Sequence, residues 1–419
     1  MKRSDIEIMA PAGSWESLHA AVKGGADSVY FGVEKLNMRA RSSHNFTTAD
    51  LPGIVRFCRM NGLKSYLTLN IVVYDDEIPE MRQVLAAAAE AGITAVIATD
   101  QAAIIAARDA GVEVHLSTQL NISNSGALKF YSQWADVAVL SRELNLQQVK
   151  SIYDSIVSDD IRGPGGELIR LEMFVHGALC MAVSGKCYLS LHEYNASANR
   201  GNCYQTCRRG YTVRDRETGY ELDIDNQYIM SPKDLCTIGF LDQLLDAGAR
   251  VLKIEGRARP AEYVETVVRC YSEAAAAVAG GTFGKEKAEG WMKELETVFN
   301  RGFWDGYYLG QRLGEWTSSY GSSATRRKLL TGKVTNYFAK QGVAEIKLET
   351  GPIAVGDELL ITGPTTGLVR HTVTELRDAD GKDADSVEKG GLCSVRLSEP
   401  VRRSDKVFRW VDASSAGKI

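Results

Sequence analysis

Four cysteines carry the strongest chemical signal in this chain. They fall in the pattern Cys180-x6-Cys187-x15-Cys203-x3-Cys207, inside one segment, whereas Cys58, Cys236, Cys270 and Cys393 are scattered among apolar residues and read as packing side chains. Thiolates are the soft ligands of zinc and iron–sulfur centres. Structural zinc favours tight Cys-x2–4-Cys pairs at both ends, and here the first pair is separated by six residues. A cubane tolerates irregular spacing, because each iron takes one thiolate. The spacing favours an iron–sulfur cluster, with structural zinc as the alternative.

Cations accompany the cysteines. Asn199-Arg200-Gly201-Asn202, Arg208-Arg209, Arg214 and Arg216 share their segment, Asn37-Met38-Arg39-Ala40-Arg41 lies upstream, and Lys253-Ile254-Glu255-Gly256-Arg257 downstream. The planar arginine fork suits carboxylate or phosphate, so Arg39, Arg41 and Arg257 are candidates to hold a small polyanion. The plainer reading of the cysteine segment is a solvated loop whose charges pair with Glu193, Asp215 and Glu217. His176, just before the first cysteine, is a candidate acid/base, against the alternative of a core histidine bonded to backbone. Lys253 and Glu255 are candidates to hold a bound donor or carry a proton.

These residues need a scaffold. Over the first 260 residues, apolar runs alternate with amphipathic stretches. The runs are Ile6–Ala10, Ser28–Gly32, Lys64–Asn70, Ala95–Thr99, Val112–Ser117, Val137–Ser141, Leu171–Val175, Tyr228–Met230 and Val251–Ile254. Continuous apolar runs are what strands covered on both faces show. Helices are expected at Ser14–Lys23, Glu80–Ala91, Ala102–Ala110 and Leu146–Val157, with Gly24, Gly62, Gly92, Gly111 and Gly248 as helix stops. Repeated βα units predict a parallel sheet, and this many predict a closed (β/α)8 TIM-like barrel, with an open doubly wound sheet as runner-up. One of the nine strands is then surplus. Asn70, Asp100, Gln119, Glu143, His176 and Glu255 each follow a strand, at the rim where such barrels keep their active sites.

Two long helices, Ala261–Gly280 and Glu286–Val298, come next, then an irregular covering segment from Arg301 to Thr325. From Lys328 the pattern changes to short alternating strands at Gly332–Tyr337, Val343–Leu348, Glu358–Thr362, Val369–Leu376, Cys393–Leu397 and Lys406–Trp410, separated by Gly-Asp, Gly-Pro and Asp-Gly turns. This predicts a small all-β barrel. The expected domains are 1–326, carrying the cysteine loop at about 176–210, and 327–419. At about 150 residues per domain, 419 residues accommodate both.

Composition removes other classes. With 44% apolar and 24% charged residues the chain is globular, and no apolar run is long enough to span a membrane. The N-terminus lacks the apolar core of a signal peptide, so a cytoplasmic protein is expected. A net charge of −4 argues against a globally basic nucleic-acid binder but allows a local patch. There is no Gly-x-Ser-x-Gly elbow, Walker loop or Gly-x-Gly-x-x-Gly fingerprint. His192-Glu193 begins like a zinc-protease helix, but Ala196 stands where the second histidine should be.

Glu172-x-Phe174-x-x-Gly177-Ala178-Leu179-Cys180-x4-Gly185-x-Cys187-x-Leu189-Ser190 resembles the signature of the collagenase-like peptidase U32 family. Asn199-Arg200-Gly201-x-Cys203-x3-Cys207-Arg208, Lys253-Ile254-Glu255-Gly256-Arg257, Ala10-Pro11-Ala12-Gly13 and Arg301-Gly302-Phe303 are similar to that family too. The resemblance runs from residue 1 to about 320. It implies RNA hydroxylation more than proteolysis: 5-hydroxyuridine at the tRNA wobble position, or hydroxylation of an rRNA cytidine. It further implies a [4Fe-4S] cluster on Cys180, Cys187, Cys203 and Cys207, and prephenate, a dicarboxylate, as hydroxyl donor. Gly332-Lys333-Val334, Ile353-Ala354-Val355-Gly356-Asp357 and Pro400-Val401 look like the second-domain barrel of translation GTPases, which favours the tRNA-hydroxylating (TrhP-type) branch.

The expectation is therefore a tRNA-modifying enzyme acting on an unstacked uridine, with Tyr188, His192 or Tyr204 to stack on the base. The alternatives are an rRNA cytidine hydroxylase, a collagenase-like peptidase, which lacks a visible nucleophile–base constellation, and a non-catalytic RNA-binding protein with structural zinc. The resemblance also leaves room for a separately encoded partner protein.

Overall fold

Strands that are apolar on both faces need cover on both. The computed structural model, which describes residues 1–41, 46–222, 231–310, 315–317 and 321–414, shows how they obtain it. Eight parallel strands form the barrel: β1 (Glu7–Pro11), β2 (Ser28–Phe31), β3 (Lys64–Leu69), β4 (Ala95–Ala98), β5 (Glu113–Leu116), β6 (Val137–Val139), β7 (Arg170–Gly177) and β8 (Ala249–Ile254). Each pairs with the next in sequence order through β7, and β8 pairs with both β7 and β1, which closes the ring. Closure is in register at Glu7↔Val251 and Met9↔Lys253.

The surplus ninth strand resolves simply. Tyr228–Met230 lies outside the described residues, and the short strand Asp234–Cys236 joins β7 in antiparallel fashion beyond the ring (Leu235↔Gly177).

Helices including Trp15–Gly24, Ile78–Ala91, Gln101–Asp109, Leu146–Ser158 and Ala261–Ala279 jacket the barrel. The first stops one residue later than its sequence suggests, at Gly25, whose φ of 82° is the left-handed conformation that glycine adopts without strain. No described helix is long and apolar enough to cross a membrane.

Residues 326–412 form a seven-stranded antiparallel sheet curled around its own apolar core, which includes Val334, Ile346, Leu359 and Val407. It docks against the helices that follow β1 and β8. Leu360, Leu368 and Trp410 join the core of the (β/α)8 domain, Lys23 pairs with Glu399 at 2.7 Å, Lys328 pairs with Glu262 at 2.9 Å, and Arg370 donates to Thr266 Oγ1 at 3.0 Å.

At the N-terminal mouth the barrel interior is polar. Buried Glu7 accepts from Tyr66 Oη at 2.6 Å, Lys64 Nζ at 2.9 Å and Arg170 Nη1 at 3.0 Å. Burial alone would raise its pKa, but Arg170, Lys64 and Tyr66 outweigh it and hold the carboxyl at about 2. A depressed carboxyl contributes stability above its unfolded value, and that stability is lost as pH falls through the window from 4.5 to about 2. Glu7→Gln should therefore be less stable than wild type at pH 7, by on the order of 3 kcal/mol. The gap in urea midpoints should narrow as pH falls below about 4.5. A gap independent of pH would show that the cluster is not what holds this mouth together.

Candidate functional site at the C-terminal rim

At the opposite mouth the strand ends and the cysteine segment enclose a cavity of about 350 Å³. Its walls are built from Tyr30 of β2, Thr68 of β3, Phe174 of β7 and Lys253 of β8, with Asn70, Gln119, Arg142 and Glu143 from the turns beyond their strands. Gln119 Oε1 accepts from Ser117 Oγ at 2.6 Å, Thr99 Oγ1 at 3.1 Å and Asn70 Nδ2 at 3.3 Å, which ties three turns into one rim. Asp100 is used differently: it caps the helix Gln101–Asp109 through Ala102 N at 2.9 Å and holds Val73 N at 3.1 Å.

The cysteine segment forms the roof. It is irregular apart from the helix Leu189–Tyr194 and single turns, so specific contacts hold it down. Val72 N donates to Asn199 O at 3.2 Å. A Cβ at Gly201 would sit 2.3 Å from Asn37 O, so only glycine lets the roof lie this close to the loop after β2. Arg208 donates to Leu179 O at 2.6 Å and Pro232 O at 2.8 Å, and Arg200 pairs with Glu77 beneath the ring of Tyr74. Arg209 pairs with Glu193 at 2.5 Å. Three of the arginines that accompany the cysteines thus brace the loop, and of these only Arg209 pairs with one of the acidic partners, Glu193, that the plainer reading of that segment names.

All four thiols, Cys180, Cys187, Cys203 and Cys207, line the cavity; Cys180 is exposed, the others are partly buried, and none is in a disulfide. Burial pushes the Cys207 thiol up to about 11, with Arg208 opposing and the neighbouring Cys180, Cys203 and Cys187 adding to the rise. Four soft donors lining one cavity are the donor set of a thiolate-held metal centre. Among the described residues, no three His, Cys, Asp or Glu side chains stand close enough together to form a metal cage by themselves.

The predicted cations and anion meet here too. Arg39 Nε donates to Glu255 Oε1 at 3.1 Å. Burial would raise the Glu255 pKa, but Arg39 first, then Arg259 and Arg257, hold it below the ordinary carboxylate range. Arg257 Nη1 donates to Thr68 Oγ1 at 2.7 Å and Asn37 Oδ1 at 3.0 Å, and burial draws it down to about 10. Lys253 Nζ donates to Glu172 Oε1 at 2.5 Å and lies 4.8 Å from the Tyr30 ring.

Five sequence-predicted residues, Arg41, His176, Tyr188, His192 and Tyr204, stand outside the cavity wall. Arg41 is exposed, outside the cavity wall, with its guanidinium 3.7 Å from the Tyr204 ring. Tyr204 itself stacks on Tyr194 at 4.4 Å, while Tyr188 is 79% exposed. His176 is turned away from the cavity. A β-bulge in β7 slips the pairing with β8, so Phe174 pairs beside inward-facing Lys253 while His176 pairs with outward-facing Ile254. Its ring packs 5.3 Å from Phe303 and 5.6 Å from Tyr271, and burial lowers its pKa to about 3, leaving a neutral core imidazole.

Sequence reasoning missed Arg142. It follows β6 beside Glu143, lies 4.4 Å above the Phe174 ring, and donates to Ala178 O at 3.3 Å, leaving its buried Nε without a partner. Its position immediately after a barrel strand was the available signal.

A closed (β/α)8 barrel with a four-cysteine roof and a cationic rim cavity defines a class of protein, and comparison with known sequences places it. The model of peptidase family U32 matches residues 13–318, and the chain belongs to that family. It is 60% identical over 98% of its length to a protein of Porphyromonas gingivalis named collagenase, 99% of which is covered. It is 30% identical over 91% of its length to tRNA hydroxylation protein P1 of Bacillus subtilis, of which 89% is covered. It is 32% identical over 95% of its length to a 23S rRNA 5-hydroxycytidine synthase of Escherichia coli, covering 59% of that protein.

Proposed function

We propose that this protein hydroxylates a pyrimidine of RNA, in the first instance the wobble uridine of tRNA to 5-hydroxyuridine, with prephenate as hydroxyl donor. The observation that carries the reading is the convergence of four thiols and the cations Arg39, Arg142, Lys253 and Arg257 on one rim cavity. Cys180, Cys187, Cys203 and Cys207 would hold a [4Fe-4S] cluster, which supplies the redox chemistry when bound. Arg142 and Lys253, which both lie against the Phe174 ring, would seat a dicarboxylate, since an arginine fork matches carboxylate geometry. Arg39 orients Glu255 at the wall. A cavity of this depth admits a base only after it leaves its stack. The relatives named for tRNA and rRNA hydroxylation support the reaction class.

A peptidase is the second reading, favoured by the 60% identical relative named collagenase. A cysteine nucleophile needs a base within hydrogen-bond reach, and no histidine lines the cavity among the described residues. Nucleoside mass spectrometry of RNA from a deletion strain decides between them. Loss of 5-hydroxyuridine from tRNA, restored by the intact gene, is expected. Loss of an rRNA hydroxycytidine instead would move the substrate. Normal RNA together with gelatin or peptide cleavage by the purified protein would replace the reading.

A further inference from the structure

Two buried polar atoms in the barrel interior lack hydrogen-bond partners and face each other. Glu172 Oε2 and His115 Nδ1 stand 3.8 Å apart, and neither residue is more than 1% exposed. Leaving two such atoms unsatisfied costs free energy, and their neighbours indicate what they serve. Glu172 Oε1 accepts from Lys253 Nζ, which lines the cavity. His115 Nε2 lies 3.2 Å from Glu113 Oε1, whose side chain is 39% exposed at the N-terminal mouth. The four groups form one file from the rim cavity to solvent at the far end, interrupted only by the 3.8 Å gap.

We propose that Lys253, Glu172, His115 and Glu113 form a proton path through the barrel interior, connecting the cavity to the mouth opposite the one through which substrate enters. The use assigned to it rests on the RNA-hydroxylation reading. Replacing a ring C–H by the donor's hydroxyl forms the ring C–O bond and breaks the ring C–H and the donor C–O bonds. The donor keeps the electron pair of its broken bond and so is the two-electron acceptor. The ring proton has to leave, and a bound base and donor close the rim side to water. Lys253 passes a proton to Glu172 as it takes one from the cavity. Glu172 closes the gap and delivers to His115 Nδ1, His115 gives up its Nε2 proton to Glu113, and Glu113 discharges to water. Lys253, Glu172 and His115 relay protons and thereby position them; none but Lys253 touches the cavity.

The surroundings suit the task. His115 is faced by Glu113, Glu172 and the Tyr66 ring at 4.5 Å, and the Tyr66 hydroxyl is occupied by Glu7, behind which stand Lys64 and Arg170. Burial lowers the imidazole pKa, and Glu113 and Glu172 outweigh it, so the net direction is upward.

The test follows His115 by imidazole NMR, feasible in a chain with six histidines and assigned with His115→Gln. Lys253→Met should raise the His115 titration midpoint, because Glu172 no longer shares its charge with the ammonium. Glu113→Gln, at the solvent-facing end, should lower it. A midpoint that stays put in either variant overturns the path, whatever reaction the protein performs. In single-turnover hydroxylation, His115→Gln should slow the rate about tenfold or more, without weakening RNA binding, and should alter the pH profile. A wild-type rate and pH profile in that variant also overturns it. If the wild-type protein hydroxylates no RNA, the functional reading fails, and the NMR titration still decides the path.

Discussion

Cys203→Ser should abolish bound iron and RNA hydroxylation together while leaving the barrel folded. The roof is fastened by Arg200, Arg208 and the Val72–Asn199 backbone bond, none of which involves a thiol, so the fold survives the loss of a ligand. Exchanging a soft thiolate for a hydroxyl removes one of four donors, and a cubane that takes one thiolate per iron is degraded. Anaerobically purified wild type should carry about four irons and four labile sulfides per chain, and each of Cys180→Ser, Cys187→Ser, Cys203→Ser and Cys207→Ser should lose most of them. Cys236→Ser is the contrast. That thiol is buried, pushed up to about 12 by desolvation, and faces Tyr271 behind β7, so its iron content should equal wild type. Stoichiometric zinc without sulfide in the same preparation would sink the cluster and return the four cysteines to a structural role.

The second large effect is expected at Arg142. Arg39 is engaged by Glu255, Arg257 by Thr68 and Asn37, and Lys253 by Glu172. Arg142 keeps an unsatisfied buried nitrogen and holds a single carbonyl at long range. A dicarboxylate that recruits this guanidinium gains charge-assisted hydrogen bonds worth about 1.5–3 kcal/mol each. At about 1.4 kcal/mol per decade, Arg142→Gln should weaken prephenate binding roughly ten- to hundredfold in calorimetry. Arg41→Ala, outside the cavity wall, should leave it unchanged. Equal losses in the two variants would mean that the anion sits on the outer rim rather than inside.

Much of this was legible from residue order because barrel strands advertise themselves. The runs at Ser28, Ala95 and Val137, and all but the first residue of that at Lys64, are buried on both faces, and the rim residues Asn70, Gln119 and Glu143 follow from strand direction alone. His176 shows where such reading stops. Alternation from Glu172 and Phe174 assigns it to the interior, and only the bulge, which no residue type announces, turns it outward. Arg142 was overlooked for the opposite reason: its position was known, but an arginine after a strand is commonly a solvated loop residue. The division of the roof's arginines between bracing and binding depends on acceptors such as Leu179 O and Pro232 O, which a sequence does not display.

The second domain also bears on how the chain is assembled. The barrel closes where β1 meets β8, strands from opposite ends of the first 260 residues, and contacts so distant in sequence are entropically the slowest to form. The curled sheet grips the two helices on either side of this seam, through Lys23 and Glu399 on one and Lys328, Glu262 and Arg370 on the other. During synthesis that clasp emerges after the whole barrel. A nascent chain that has not yet reached residue 326 holds its seam by the β1–β8 ladder and the packing of the helix Trp15–Gly24 against Ala261–Ala279 alone.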